Sequence, residues 1–117
     1  MKIGFIGLGR MGQGMALNLQ KSGVDLCVFD LNPAAVKTLT DAGAKSVSSV
    51  AELASQVDVL FTSLPGPVQV EEVILGPQGV MAHMRSGLVL FELSTSSLSL
   101  ARRIHAAFQE RGADMLD

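Results

Sequence analysis

Apolar residues along this chain come in short runs that alternate with stretches of helical spacing, and the alternation recurs from end to end. Residues 2–6 (KIGFI), 24–29 (VDLCVF), 57–63 (VDVLFTS) and 87–92 (GLVLFE) have the length and the Val, Ile and Phe content of strands. Helices are predicted over 10–22, from Pro33 to about Ala42, and over 49–54, 68–74 and 98–110, with a helical turn near 80–84. Gly23 and Gly43 end the first two. Asn32 is positioned to cap the second, with Pro33 at its first position, where a missing N–H costs nothing. A short strand near 44–46 and one beginning within Gly112–Asp117 complete the series.

The run 57–63 is the clearest central strand, being almost uncharged, as a strand covered on both faces requires. Pro65, Gly66 and Pro67 break it abruptly. A loop over Gly76–Gly79 follows the next helix, and Ser96 or Ser97 is expected to cap the helix at 98–110. Strand and helix alternate at short spacing without repeats or low-complexity linkers. That rhythm predicts an α/β fold, a doubly wound parallel sheet.

Composition narrows the size and class. At 117 residues and 48% hydrophobic content, the chain builds one compact domain, and 1–117 reads as that domain. Nine basic against eleven acidic residues give a net charge of -2, with no basic patch to recommend nucleic acid. No run approaches about eighteen apolar residues, and the start lacks the shape of a signal peptide, so no membrane partner and a cytoplasmic location are expected. The single cysteine, Cys27, excludes an internal disulfide and reads as a buried small hydrophobe.

The chemistry is concentrated at the first turn. Gly7, Gly9 and Gly12 stand in the spacing G-x-G-x-x-G, with a strand before, a helix after and a second strand next. That context marks a dinucleotide-binding βαβ unit. Gly7 permits the tight turn, Gly9 lets backbone approach a pyrophosphate, and Gly12 lets the helix pack against the strands. Leu8, Arg10 and Met11 complete the loop around the phosphates, where free N–H groups and the helix dipole receive negative charge. Asp30, 23 residues after Gly7, is placed to bind both adenine-ribose hydroxyls and to repel a 2′-phosphate. No arginine follows it in Leu31–Asn32–Pro33, so NAD is expected over NADP. Asp30 as a turn or helix-cap residue in DLNP is the competing account. The third edge of the pocket is expected at 62–69 (TSLPGPVQ), with Ser63 or Gln69 as polar contacts.

Beyond these motifs, the run GLGRMGQGMALNLQKSG resembles the β-hydroxyacid dehydrogenases, through Met11, Met15, Asn18 and Gly23 as well as the glycines. Met15 and Leu19 form one packing stripe, whereas Asn18 is an odd polar residue for a helix expected to be largely covered. DVLFTSLP is similar to the family's strand and Leu-Pro loop, so the resemblance implies that Leu64, Pro65 and Gln69 contact the cofactor. FELSTSSLSLAR is similar to its D-x-S-T-x-S-P motif. By that resemblance Thr95 lies beside the nicotinamide and Ser94 near the substrate. Two departures stand out: Glu92 replaces the usual Asp, and Leu98 a common proline.

The resemblance implies a Rossmann sheet that stops before the catalytic segment and the helical domain. The complete enzyme would reversibly oxidise a 3-hydroxy acid by hydride transfer, with a catalytic lysine that this chain lacks. Lys2, Lys21, Lys37 and Lys45 are not credible substitutes, so the expectation is a cofactor-binding domain without turnover. Its small hydroxy-acid substrate belongs to the longer enzyme alone. An NAD-sensing subunit, a non-catalytic interaction scaffold and a methyltransferase are the other functions weighed. His83 and His105 read as surface residues, and neither a metal cluster nor a triad can be assembled. The edge at 113–117 is expected to be free to pair with a second copy, giving a homo-oligomer.

Overall fold

A computed structural model describes residues 1–94 and 97–116. In chain order it contains β1 (Lys2–Ile6), α1 (Arg10–Lys21), β2 (Asp25–Phe29), α2 (Pro33–Asp41), β3 (Lys45–Ser46) and α3 (Val50–Ala54). Then follow β4 (Val59–Thr62), α4 (Pro67–Leu75), α5 (Val80–His83), β5 (Val89–Glu92), α6 (Leu98–Glu110) and β6 (Asp114–Leu116). The strands form one six-stranded sheet in the order β3-β2-β1-β4-β5-β6, and every neighbouring pair is parallel. The predicted α/β class and the doubly wound order are therefore observed. Because β1 lies between β2 and β4, successive connections leave it in opposite directions. A crevice opens at the carboxyl ends of these strands, where open α/β sheets take ligands.

Local chemistry accounts for most helix limits. The Asn32 side chain accepts from Ala34 N at 3.0 Å with Pro33 next in line, and Ser49 accepts from Glu52 N at 3.1 Å. Of the two serines proposed as the α6 cap, Ser97 accepts from Leu100 N at 3.2 Å, while Ser96 lies outside the described residues. Leu98, exposed in the first turn of α6, thus follows a serine cap.

Each sheet face carries its own core. On one, Leu60, Leu90 and Met115 pack with Val70, Ile74, Leu100, Ile104 and Phe108 from α4 and α6. On the other, Phe5, Leu26 and Val28 pack with Ala16 of α1 and Leu39 of α2. Cys27 is buried in the first core, and burial pushes its thiol pKa up. Two expectations need correction. β4 is not covered on both faces: Leu60 and Thr62 are buried, but Val59 and Phe61 are half-buried. The cause is that α1 and α2 lie over β1–β3, so a row of Phe61, Phe91 and Leu116 continues from buried Phe5 toward solvent. Its rings stack at centroid distances of 5.8 and 4.9 Å. α1 is also less covered than expected. Only Gly12 and Ala16 are fully buried, Met15 and Leu19 pack at the margin, and Asn18 faces outward.

Candidate functional site

The glycine turn is built by close backbone approach. Gly7 follows β1, donates its N–H to Phe29 O at 3.1 Å and has φ +97, the left-handed region that favours glycine. A Cβ there would overlap the Ser63 carbonyl of the neighbouring strand's loop. Gly12 sits in the first turn of α1, directly against the Gly7 carbonyl and the Phe5 ring, so it too admits no side chain. Gly9 is different. Its φ of -65 suits any residue, and a Cβ added there meets nothing within 4 Å. The fold requires Gly7 and Gly12, whereas Gly9 keeps open space beside the turn.

Gly9 also starts α1 without a side-chain cap, while α2, α3 and α6 each have one. The first-turn N–H groups of α1 are left as donors toward the crevice, at the positive end of the helix dipole. Asp30, immediately after β2, ties this turn to the next loop. Its Oδ2 accepts from Leu8 N at 2.6 Å and its Oδ1 from Asn32 N at 2.7 Å. The turn role weighed for Asp30 is thus real. Each carboxylate oxygen still has a second lone pair, and the residue is half-exposed.

These elements surround a cleft of about 890 Å³. Gly7, Leu8, Gly9, Arg10, Met11 and Gly12 form one wall, Asp30 a second, and Leu64, Pro65 and Gln69 a third. The Leu8 side chain is buried in the core, so that residue offers backbone alone. Ser63, proposed with Gln69 as a polar contact, is also on the rim. Arg10 is the one cation among the described lining residues, against the carboxylates of Asp30 and Glu72.

Ser94 is not part of the lining. Its hydroxyl accepts from Leu64 N at 2.6 Å, and its N–H donates to Glu92 Oε1 at 2.5 Å. The Thr62 hydroxyl donates to the other Glu92 oxygen, and both of these side chains are buried. Thr95 lies outside the described residues. Sequence reasoning missed Leu31, Ser48, Ser49, Val50, Glu72, Val73, Pro77 and Gln78, all on the cleft. Glu72 and Val73 were legible, since they follow Gln69 at i+3 and i+4 and share its helix face. Ser48–Val50 were not, because only the sheet order brings the loop after β3 beside the glycine turn.

His83 and His105 are exposed, and no group of three or more metal-ligating side chains occurs among the described residues. All four lysines are exposed and none lines the cleft. Lys2 and Lys45 instead border a small opening of about 170 Å³ near Cys27. Arg103 pairs with Glu71 at 2.8 Å, so it joins α6 to α4. No helix of the described residues is long and apolar enough to cross a membrane.

The profile of the NAD binding domain of 6-phosphogluconate dehydrogenase matches residues 2–117. The NAD-dependent L-serine dehydrogenase of Pseudomonas aeruginosa is 45% identical over 116 residues, covering 99% of this chain and 39% of that protein. The crystal structure of 3-hydroxyisobutyrate dehydrogenase from Salmonella typhimurium superposes with a TM-score of 0.92 at 34% identity, over 100% of this chain and 41% of the other. The structure of Psf3 in complex with NADP+ and 2-OPP gives a TM-score of 0.92 at 31% identity, over 98% and 41%. The chain thus spans about two-fifths of the length of these relatives.

Proposed function

Because the chain belongs to the family of the NAD binding domain of 6-phosphogluconate dehydrogenase, we propose that residues 1–117 form the NAD-binding domain of an oxidoreductase acting on a 3-hydroxy acid. The observation that carries this reading is the joining of the glycine turn to Asp30 through Leu8 N, at the head of a dinucleotide-sized cleft. The pyrophosphate would lie against Gly9 and the uncapped start of α1, with Arg10 and Met11 beside it. The adenine ribose would face Asp30, and the nicotinamide end would pass Leu64 and Pro65 toward Ser94 and Thr95. The cofactor supplies the hydride chemistry; the chain's own residues orient it and set its charge environment.

The 3-hydroxy acid class is supported by the names of two relatives. L-serine and 3-hydroxyisobutyrate both carry a hydroxyl on the carbon β to a carboxylate. These 117 residues alone are proposed to bind the cofactor without turnover, since no lysine is among the described residues that line the cleft. β6 occupies the sheet edge and is paired on one side by β5, so a second copy is proposed to add there. Sedimentation across a range of concentrations should give a mass that rises with concentration; a constant monomer mass rejects the pairing.

NAD is proposed as the cofactor in preference to NADP. A 2′-phosphate beside Asp30 would meet a like charge, and no arginine follows Asp30 in Leu31–Asn32–Pro33 to offset it. Like charges a few ångströms apart at a protein surface cost about 1–4 kcal/mol. Calorimetric titration is therefore expected to show NAD binding about tenfold or more tightly than NADP. Equal or tighter binding of NADP, the cofactor bound in the Psf3 structure, sinks the preference while leaving dinucleotide binding intact.

A further inference from the structure

Glu92 is a buried carboxylate, 3% exposed, that touches no cleft surface, and it forms no ion pair among the described residues. A charge-bearing group in that setting is costly unless its acceptors are used. Here both are. Glu92 ends β5 directly opposite Thr62, the last residue of β4, which is itself fully buried. One carboxylate oxygen accepts from the Thr62 hydroxyl; the other accepts from Ser94 N at 2.5 Å. Ser94 Oγ in turn accepts from Leu64 N at 2.6 Å. The backbone repeats the link, since Leu93 N donates to Thr62 O at 2.8 Å.

The result is a closed brace between two loops that leave neighbouring strands. On one side is the Ser63–Leu64–Pro65 wall of the cleft; on the other is the segment that leads to Thr95. The brace reaches the glycine turn as well. Ser63 N donates to Ile6 O at 2.9 Å, and the Ser63 carbonyl lies where a Gly7 Cβ would be. Asp30 stands on the opposite side of β1, beyond β2, and shares no hydrogen bond with this network. The two ends of the cleft are therefore held by separate carboxylates.

We propose that Glu92 is a positioning residue for the nicotinamide half of the cofactor, acting through Thr62 and Ser94 to hold the Leu64–Pro65 wall in place. The role rests on the dinucleotide reading given above. Its extra methylene relative to aspartate lets one side chain reach both the hydroxyl on the next strand and the amide two residues on. Glutamine at this position keeps the volume but removes the charge. Its carbonyl can still accept from Ser94 N, while its N–H donates to a Thr62 hydroxyl that has turned to accept, so two charge-assisted hydrogen bonds become neutral ones. Removing the Thr62 hydroxyl alone frees the Glu92 side chain from β4 and leaves only the backbone bond from Leu93 N to Thr62 O.

The test titrates the chain, Glu92→Gln, Glu92→Asp and Thr62→Val with NADH and, separately, with ADP, which carries adenosine and pyrophosphate but no nicotinamide. Glu92→Gln is expected to weaken NADH about tenfold while ADP stays within about twofold, the weakening of two charge-assisted hydrogen bonds to neutral ones being of that size. Thr62→Val should show the same split at smaller amplitude, and it carries the test where Glu92→Gln fails to fold. Glu92→Asp, which keeps both acceptors, should recover part of the NADH affinity. Equal weakening of both ligands by folded variants, or no change in either, overturns the positioning role. A folded wild-type chain that binds ADP and NADH equally overturns it too. Failure of that chain to bind either ligand instead rejects the dinucleotide reading, and the positioning role with it.

Discussion

Gly9→Ala should leave the chain folded and weaken dinucleotide binding about 10- to 100-fold, whereas Gly12→Val should do its damage to the fold. The two glycines belong to one motif, yet they face different neighbours. Around Gly9 the protein leaves open space, and the backbone conformation there is ordinary for alanine. The expected structural cost is the loss of a favourable glycine N-cap, about 1 kcal/mol or less. A methyl group placed between the turn and a pyrophosphate is an overpacking of about 1–3 kcal/mol, which sets the expected range in affinity.

At Gly12 the obstacle is the Gly7 carbonyl, a backbone atom that cannot rotate away. A valine forces α1 off the sheet, at about 2–3 kcal/mol net of its better helix propensity. For a domain of this size that corresponds to a fall in thermal midpoint of about 10 °C. Melting curves and titrations on both variants check the pair. A Gly9→Ala protein that binds NAD like the parent would mean that the open space beside Gly9 is not where the phosphates lie. A Gly12→Val protein that melts with the parent would mean that α1 packs less closely than the structure has it.

Asp30→Ala carries the second large effect, and it acts on discrimination more than on folding. The substitution removes the acceptors of Leu8 N and Asn32 N, of which the Asn32 bond is exposed and the Leu8 bond part-buried at the cleft, so that water entering the cleft replaces the half-exposed carboxylate. The stability loss should be about 1 kcal/mol. The ribose loses charge-assisted hydrogen bonds, typically about 1.5–3 kcal/mol, so NAD affinity should fall about 10- to 100-fold. NADP gains by the removal of a like charge, so the ratio of the two affinities should collapse toward one. Calorimetry on the variant reads both numbers. A ratio unchanged from the parent would assign Asp30 to loop geometry alone, the account that its bonds to Leu8 and Asn32 also support.

How much was legible varied with the range of the interaction. Helix limits at Asn32–Pro33, Ser49 and Ser97 follow from caps within three residues. A reading of neighbours therefore found the Asn32 cap, narrowed the α6 cap to Ser96 or Ser97, and began α3 one residue early, at its cap. The strand limits were less exact: 57–63 shortened to Val59–Thr62, and 87–92 to Val89–Glu92. Pairing partners decide where a strand stops, and those partners are distant in sequence. Coverage was harder still. β4 was expected to be buried on both faces, but the half-buried Phe61 shows that an apolar strand is compatible with an open face. Asn18 was puzzling only under the assumption that α1 is enclosed.

The alternation of strand and helix, with the glycine spacing in its strand–turn–helix context, by itself determined the fold class. The family was legible as a resemblance through the longer run from Gly7 to Gly23 and the segments DVLFTSLP and FELSTSSLSLAR. Those signals are local or periodic, because turn conformation, capping and helix packing act over a few residues. Tertiary structure alone decided the rest. It separated Gly9 from Gly12 by what each faces, brought Ser48–Val50 to the cleft, and joined Glu92 to Thr62 and Ser94 behind the Leu64 wall. Each of these depends on β1 lying between β2 and β4 with β5 alongside. Register between parallel strands is set by the whole packed sheet, and no single segment carries it.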